Sequence, residues 1–189
     1  MRNWALAALA ALWISAGPAM AAGSVKDASY KDAGGHRVLR ESIMVEAPRD
    51  AVWLAFTDDR LFAKWAVPVV HITPGNGGLI EFGLAPDSKI GDAMNVRNRI
   101  DIFLPDELLA FHNEFVPAGG PFDPPTFATV RTMLTFEDAG DGHTKVTQTV
   151  VGFGEGAKYD QLYDHLRGGN AEYLMMLSVF FANTYVERK

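Results

Sequence analysis

The chain has 189 residues, no cysteine and a formal net charge of −6 at pH 7. Without cysteine there is no disulfide framework, no thiolate nucleophile or thiolate metal site, and no N-terminal lipoprotein anchor. The acidic balance, with no long Lys/Arg cluster, excludes the electrostatic footprint of a nucleic-acid or anionic-lipid binder.

Residues 1–21 carry the marks of a cleaved export signal: Arg2, an apolar run over 4–16 broken only by Ser15, the Gly17-Pro18 break, and the small-x-small pattern Ala19-Met20-Ala21. The run is shorter than the ~20 residues that span a bilayer, so no integral anchor is expected after cleavage. The expected location is the periplasm or the secreted medium. Loss of a leader bearing Arg2 takes the charge from −6 to −7. The remaining chain of about 168 residues suits one domain that buries roughly 70% of its unfolded surface.

Residues 22–37 are polar, glycine-bearing and without a clear period, and read as a flexible tail before a domain over 38–185. A strand is predicted over 38–47, with Ile43, Val45 and Ala47 on one side. Pro48 ends it and suits the first turn of a helix carrying Val52, Trp53 and Phe56, while Asp58-Asp59 caps a second short helix reaching Trp65. Pro74 to Gly78 is a turn, and 79–82 a short strand. A longer strand over 93–103 alternates Met94, Val96, Ile100 and Ile102; Pro105-Asp106-Glu107 turns it into 108–115, where Leu109, Phe111 and Phe115 alternate. Residues 116–126 are a Pro/Gly-rich loop, and 127–136 pairs with 145–151 as a hairpin across Asp138 to Gly142. From Ala157, the spacing of Tyr159, Leu162, Tyr163, Leu166, Tyr173, Leu177 and Phe180 predicts a long helix, with Gly168-Gly169 marking a kink or a close approach of the sheet.

Ala47-Pro48, Val52-Trp53, Ala55, Phe56-Thr57-Asp58 and Trp65 stand in order with Gly77-Gly78, Gly91, Pro105, Leu109, Phe111 and Gly152-Phe153. This series, spanning about 38–183, resembles the SRPBCC/START superfamily, and within it the heat-shock ATPase activator-homologue-like branch. The resemblance implies an α+β helix-grip fold: a curved antiparallel sheet wrapped around a long C-terminal helix, with two short helices after the first strand and a cavity between helix and sheet. Two departures are visible. Gly168-Gly169-Asn170 stands where the branch usually has Gly-Trp, and Asn113 where the return strand often ends in Trp. Both remove an indole near the cavity. An exported chain would not meet a cytosolic chaperone ATPase, and fold alone supplies no function.

Strand parity places Asn98 among the inward residues of its strand, Asn113 with Leu109 and Phe111, and Gln148 between Val146 and Val150. A buried amide needs a protein group, a water or a ligand as partner. Tyr163 and Tyr173 present hydroxyls from the helix, and Met176 and Phe180 add adaptable apolar surface. The expected pocket lining is therefore Asn98, Phe111, Asn113, Gln148, Tyr163, Tyr173, Met176 and Phe180, with Phe122 as a gate at the mouth. A neutral lining argues against a strongly charged ligand head.

No catalytic residue, cofactor or metal is assigned. The five histidines form no H-x-x-x-H pair, and neither a nucleophile elbow nor a phosphate loop is present. Arg97, Arg99, Asp101, His112 and Glu114 are expected on the outer face. Three functions remain open. One is a carrier or sensor for a small hydrophobic or amphipathic molecule, in a cavity of at least ~300 Å³. The second is a cavity enzyme of cyclase, aromatase or hydrolase type using Tyr163, Tyr173 or Asn113, which requires a titratable group of perturbed pKa in the pocket. The third is an envelope interaction module with a packed interior. Residues 173–182 are apolar almost all round, which predicts a second buried face: a homodimer contact or the N-terminal tail.

Overall fold

A computed structural model describes residues 23–118 and 123–186. The leader and Phe122 therefore lie outside the described residues.

Short strands β1 (Lys26–Asp27) and β2 (Tyr30–Lys31) precede β3 (Arg37–Val45). Helices α1 (Arg49–Thr57) and α2 (Asp59–Phe62) follow, then β4 (Val69–Thr73), β5 (Leu79–Gly83), β6 (Val96–Leu104) and β7 (Leu108–Phe115). A short helix α3 (Pro124–Phe127), the hairpin β8 (Arg131–Gly140) and β9 (His143–Val151), and the long helix α4 (Ala157–Val186) complete the chain. The strands form one antiparallel sheet in the order β1-β3-β9-β8-β7-β6-β5-β4, with β2 also paired to β3. The architecture is the α+β helix-grip expected.

Each element has a local cause. In β3, Leu39, Glu41, Ile43 and Val45 alternate to the inner face, opposite Val150, Gln148, Val146 and Thr144 of β9. Pro48, with extended backbone, ends the strand and caps α1, which buries Val52, Trp53, Ala55 and Phe56. Asp58 caps α2 by accepting from the amides of Arg60 and Leu61, both at 3.0 Å. Asp59 reaches further: it accepts from the Ile72 amide at 2.7 Å and meets the His71 ring at 3.0 Å, pinning β4 to α2. Trp65 Nε1 donates to the Ala55 carbonyl at 2.9 Å and packs edge-on against Phe56.

Four expectations need correction. The segment expected as a tail carries β1 and β2, and Gly23 donates its amide to Ser178 Oγ at 3.2 Å, so it lies along β3 and touches α4. β4 was not anticipated. Residues 116–130 are not all loop and strand, because Asp123 accepts from the Thr126 amide and turns Pro124–Phe127 into a helix. Finally, β6 begins at Val96 rather than Ala93. Glu81 accepts from the Gly91 amide at 2.6 Å and Asn95 Nδ2 at 2.7 Å, which holds the preceding segment as a loop and leaves Met94 exposed.

Within β6 the alternation is not strict. The register passes from Ile100↔Phe111 to Ile102↔Ala110, so Asp101 is the extra residue of a β-bulge. Ile100 stays buried, Ile102 is turned outward, and Phe103 points inward to meet Trp53 at 5.0 Å, edge to face. Asp101 itself faces out, between His112 Nδ1 at 2.8 Å and Arg131 Nε at 3.5 Å, beside the Arg99–Glu114 pair. The outer face carries Arg99, Asp101, His112 and Glu114 as expected, joined in ion pairs.

α4 runs unbroken for 30 residues through Gly168-Gly169. Its buried line contains Leu162, Leu174, Leu177 and Phe181. The core divides around it. One cluster gathers Trp53, Phe56, Trp65, Phe136, Leu174, Leu177 and Phe181. The other gathers Leu39, Val130, Val150, Phe153 and Leu162, with Tyr163 and Leu166 packed on it. Among the described residues no helix is long and apolar enough to cross a membrane.

The bulge makes a prediction opposite to strict alternation. Phe103→Ala should lower stability by about 2 kcal/mol or more, because a large side chain leaves the Trp53 contact. Ile102→Ala should stay within about 0.5 kcal/mol. Urea unfolding of both variants measures the order.

Candidate functional site

Between the two core clusters lies a cavity of about 260 Å³. Its sheet wall carries Ile80, Phe82, Asn98, Leu109, Phe111, Asn113, Leu134 and Gln148; α1 and α2 contribute Phe56 and Phe62; α4 contributes Leu166, Gly169, Asn170 and Tyr173. The lining is aromatic and aliphatic with four amides, and its volume falls a little short of the expected ~300 Å³. Asn170 is the buried member of this stretch, while Gly169 lies at the exposed rim, where a Cβ would meet nothing within 4 Å.

Five of the eight expected lining residues meet here: Asn98, Phe111, Asn113, Gln148 and Tyr173. Tyr163 does not. It lies seven residues before Asn170, ~10 Å along the helix axis, against Phe153 at 5.1 Å with the Arg37 guanidinium 4.9 Å above its ring. Met176 does not either. It is two positions from the fully buried Leu174, a rotation of about 200°, and 39% of it is exposed. Phe180 lies seven residues beyond Tyr173 and opens instead onto an outer groove with Trp65, Met175, Met176 and Val179.

The amides differ in how they are satisfied. Asn113 Nδ2 donates to Asn98 Oδ1 at 3.2 Å, to the Phe115 carbonyl at 3.1 Å and to the Arg97 carbonyl at 3.3 Å. Those two asparagines support each other across β6 and β7. Gln148 Oε1 and Asn170 Nδ2 are fully buried without a hydrogen-bond partner among the described residues. Tyr173 is held by rings on three sides, with Trp65 at 4.6 Å, Phe56 at 6.0 Å and Phe62 at 6.3 Å. Burial pushes its hydroxyl well above the ordinary tyrosine pKa, so it remains a neutral phenol.

Two participants escaped the sequence reading. Asn170 was noted only as a departure from the family pattern, although it follows Leu162 and Leu166 at helical spacing. Glu41 shares the inner face of β3 with Leu39 and Ile43, and the parity that found Gln148, its cross-strand partner, would also have found it. Glu41 is 3% exposed, and its Oε2 has no hydrogen-bond partner. It lines a second recess beside α4 with Asp27, Asp164, Arg167 and Gly168. Burial pushes its carboxyl up from 4.5 to about 7; Asp27 adds repulsion, and Arg167 opposes the rise.

Among the described residues, no group of three or more His, Asp or Glu side chains is arranged to hold a metal ion.

The model of one family, Activator of Hsp90 ATPase homolog 1-like protein, matches residues 46–182. The chain belongs to this family. No curated protein sequence matches it. Solved structures share its fold at low identity. The Aha1 dimer from Colwellia psychrerythraea is 15% identical with a TM-score of 0.58, covering 77% of this chain and 96% of its own. CalU16 from Micromonospora echinospora is 19% identical with a TM-score of 0.56, covering 85% and 84%. An HSP90 activator from Plasmodium falciparum is 13% identical with a TM-score of 0.56, covering 76% and 94%.

Glu41 sets a pH dependence of stability. Its folded-state pKa lies above the unfolded value, so the fold binds this proton more tightly than the unfolded chain. Its contribution is therefore full below pH 4.5 and declines as pH rises through about 7. Glu41→Gln should flatten that decline and raise the urea midpoint at pH 8. Unfolding curves at pH 5.5 and pH 8 for both proteins measure it.

Proposed function

We propose that this family member is an exported carrier or sensor that holds a small hydrophobic or amphipathic molecule between α4 and the sheet. The observation that supports it is the apolar cavity in the middle of the core, with two buried amides left unpaired on its walls. Its walls are aromatic and aliphatic with a few placed amides, the composition of a small-molecule pocket. Tyr173 is the only ionisable side chain among the described lining residues, and its raised pKa suits a hydrogen-bond donor rather than a base at neutral pH. That favours binding over acid–base catalysis. Export rests on the leader motif at the N-terminus.

The reading extends to self-association. The outer side of the C-terminal half of α4 exposes Met176 and Val179 above the Trp65 groove, and the Colwellia relative is described as a dimer. A homodimer through this surface should dissociate in Met176→Lys, as measured by sedimentation.

Native mass spectrometry of protein collected from the periplasm tests the main proposal. The expected chain begins at Ala22 and carries a small apolar adduct recovered by organic extraction. Asn170→Phe, which fills the cavity from the buried side of α4, should abolish the adduct while the helical circular dichroism persists. An empty protein that takes up none of a panel of hydrophobic probes would overturn the carrier reading.

A further inference from the structure

Gln148 on β9 and Asn170 on α4 line the same cavity, and Gln148 Oε1 and Asn170 Nδ2 are buried with no hydrogen-bond partner among the described residues. Both are more than nine-tenths buried, at 6% and 9% exposed. Asn113, which lines the cavity too, donates to Asn98 Oδ1 and to the Phe115 carbonyl, so unpaired amides are not a general property of this wall. The demand is local to the middle of α4 and the facing stretch of β9.

On the reading of the cavity as a binding site, we propose that Gln148 and Asn170 form a head-group site for a neutral ligand whose polar end both donates and accepts hydrogen bonds, a carboxamide above all. A side-chain amide carries a donor and an acceptor on adjacent atoms. Gln148 Oε1 asks for a donor and Asn170 Nδ2 for an acceptor, so the head must supply both. Among the described residues, no Asp, Glu, Lys, Arg or His lines the cavity. An ionised head would enter without a counter-charge, which makes a carboxylate or an ammonium a poor fit. Size narrows the class further. An apolar cavity of ~150 Å³ accommodates benzene, so this one accepts a ligand of about ten non-hydrogen atoms. A single ring or a short chain bearing one amide fits that limit; an extended polyketide does not.

The test is a calorimetric titration with four probes of nearly equal size: 2-phenylacetamide, phenylacetate, 2-phenylethylammonium and propylbenzene. The amide should bind most tightly, exceeding propylbenzene by roughly tenfold or more, the worth of one or two hydrogen bonds to groups otherwise left unpaired. Gln148→Leu and Asn170→Leu should each bring the amide down toward the hydrocarbon, while retained propylbenzene binding shows that the cavity of the variant is intact. Three results overturn the head-group assignment and leave the cavity a binding site. Tightest binding of the ammonium would move recognition to Glu41, the neighbour of Gln148 on β3. Tightest binding of phenylacetate would make both amides plain donors to an anion. Equal binding of propylbenzene would mean that water satisfies them. If none of the four binds and the hydrophobic probes also fail, the binding function falls with it.

Discussion

Everything in this molecule is arranged around one missing rung. The inward line of α4 steps through Leu162, Leu166, Leu174, Leu177 and Phe181 at intervals of three or four residues, except that Gly169 and Asn170 stand at its centre. Helix and sheet are propped apart by large side chains at both ends of that line: Trp53, Phe56 and Trp65 on one side, Val130, Phe153 and Leu162 on the other. The middle cannot collapse, because interiors are close-packed and both clusters already hold their spacing. Two glycines in a helix interior each cost about 1 kcal/mol relative to alanine, and here nothing crowds either one. Their packing serves the space beside them rather than a close backbone contact.

The sheet wall is made rigid by devices that lie outside the cavity. The bulge at Asp101 re-aims Phe103 into the aromatic cluster and frees a carboxylate to bridge His112 and Arg131 on the outer face. Glu81 holds the loop before β6 through Gly91 and Asn95, and Asp59 ties β4 to α2. Partly exposed ion pairs such as Asp101–Arg131 add little stability each. Their larger contribution is to register, which decides which amides face inward.

Much of this arrangement can be read from the residues. The order of elements, the cap at Asp58 and the inward placement of Asn98, Asn113 and Gln148 follow from alternation and turn chemistry alone. The same rule failed at Ile102, because a bulge inserts one residue without a compositional mark and inverts parity beyond it. On α4 the period identified a stripe but not the height of each residue along it, so Tyr163 and Phe180 were grouped with Tyr173 although they lie about 15 Å and about 10 Å away along the axis. Met176 was misplaced for another reason: where a helix is apolar nearly all round, composition no longer says which side is inside. The strands at 26–31 and 69–73 are too short or too irregular to carry a period. Their pairing is imposed by β3 and by Asp59. Glu41 was legible and overlooked, since a carboxylate in an otherwise apolar alternation reads more readily as an outward residue.

The short strands β1 and β2 bear on how the protein behaves among other chains. β3 runs for nine residues and would otherwise be one free margin of the sheet, a row of unpaired amides and carbonyls open to any extended peptide. The N-terminal segment lies along it in two brief contacts joined by an Asp27–Ser29 turn, too short and too polar to offer a new template of its own. At the opposite margin β4 is only five residues long and is held at Ile72 by Asp59. The N-terminal segment is therefore a molecular bumper: whatever trims the chain past residue 31 removes the guard from its longest exposed margin.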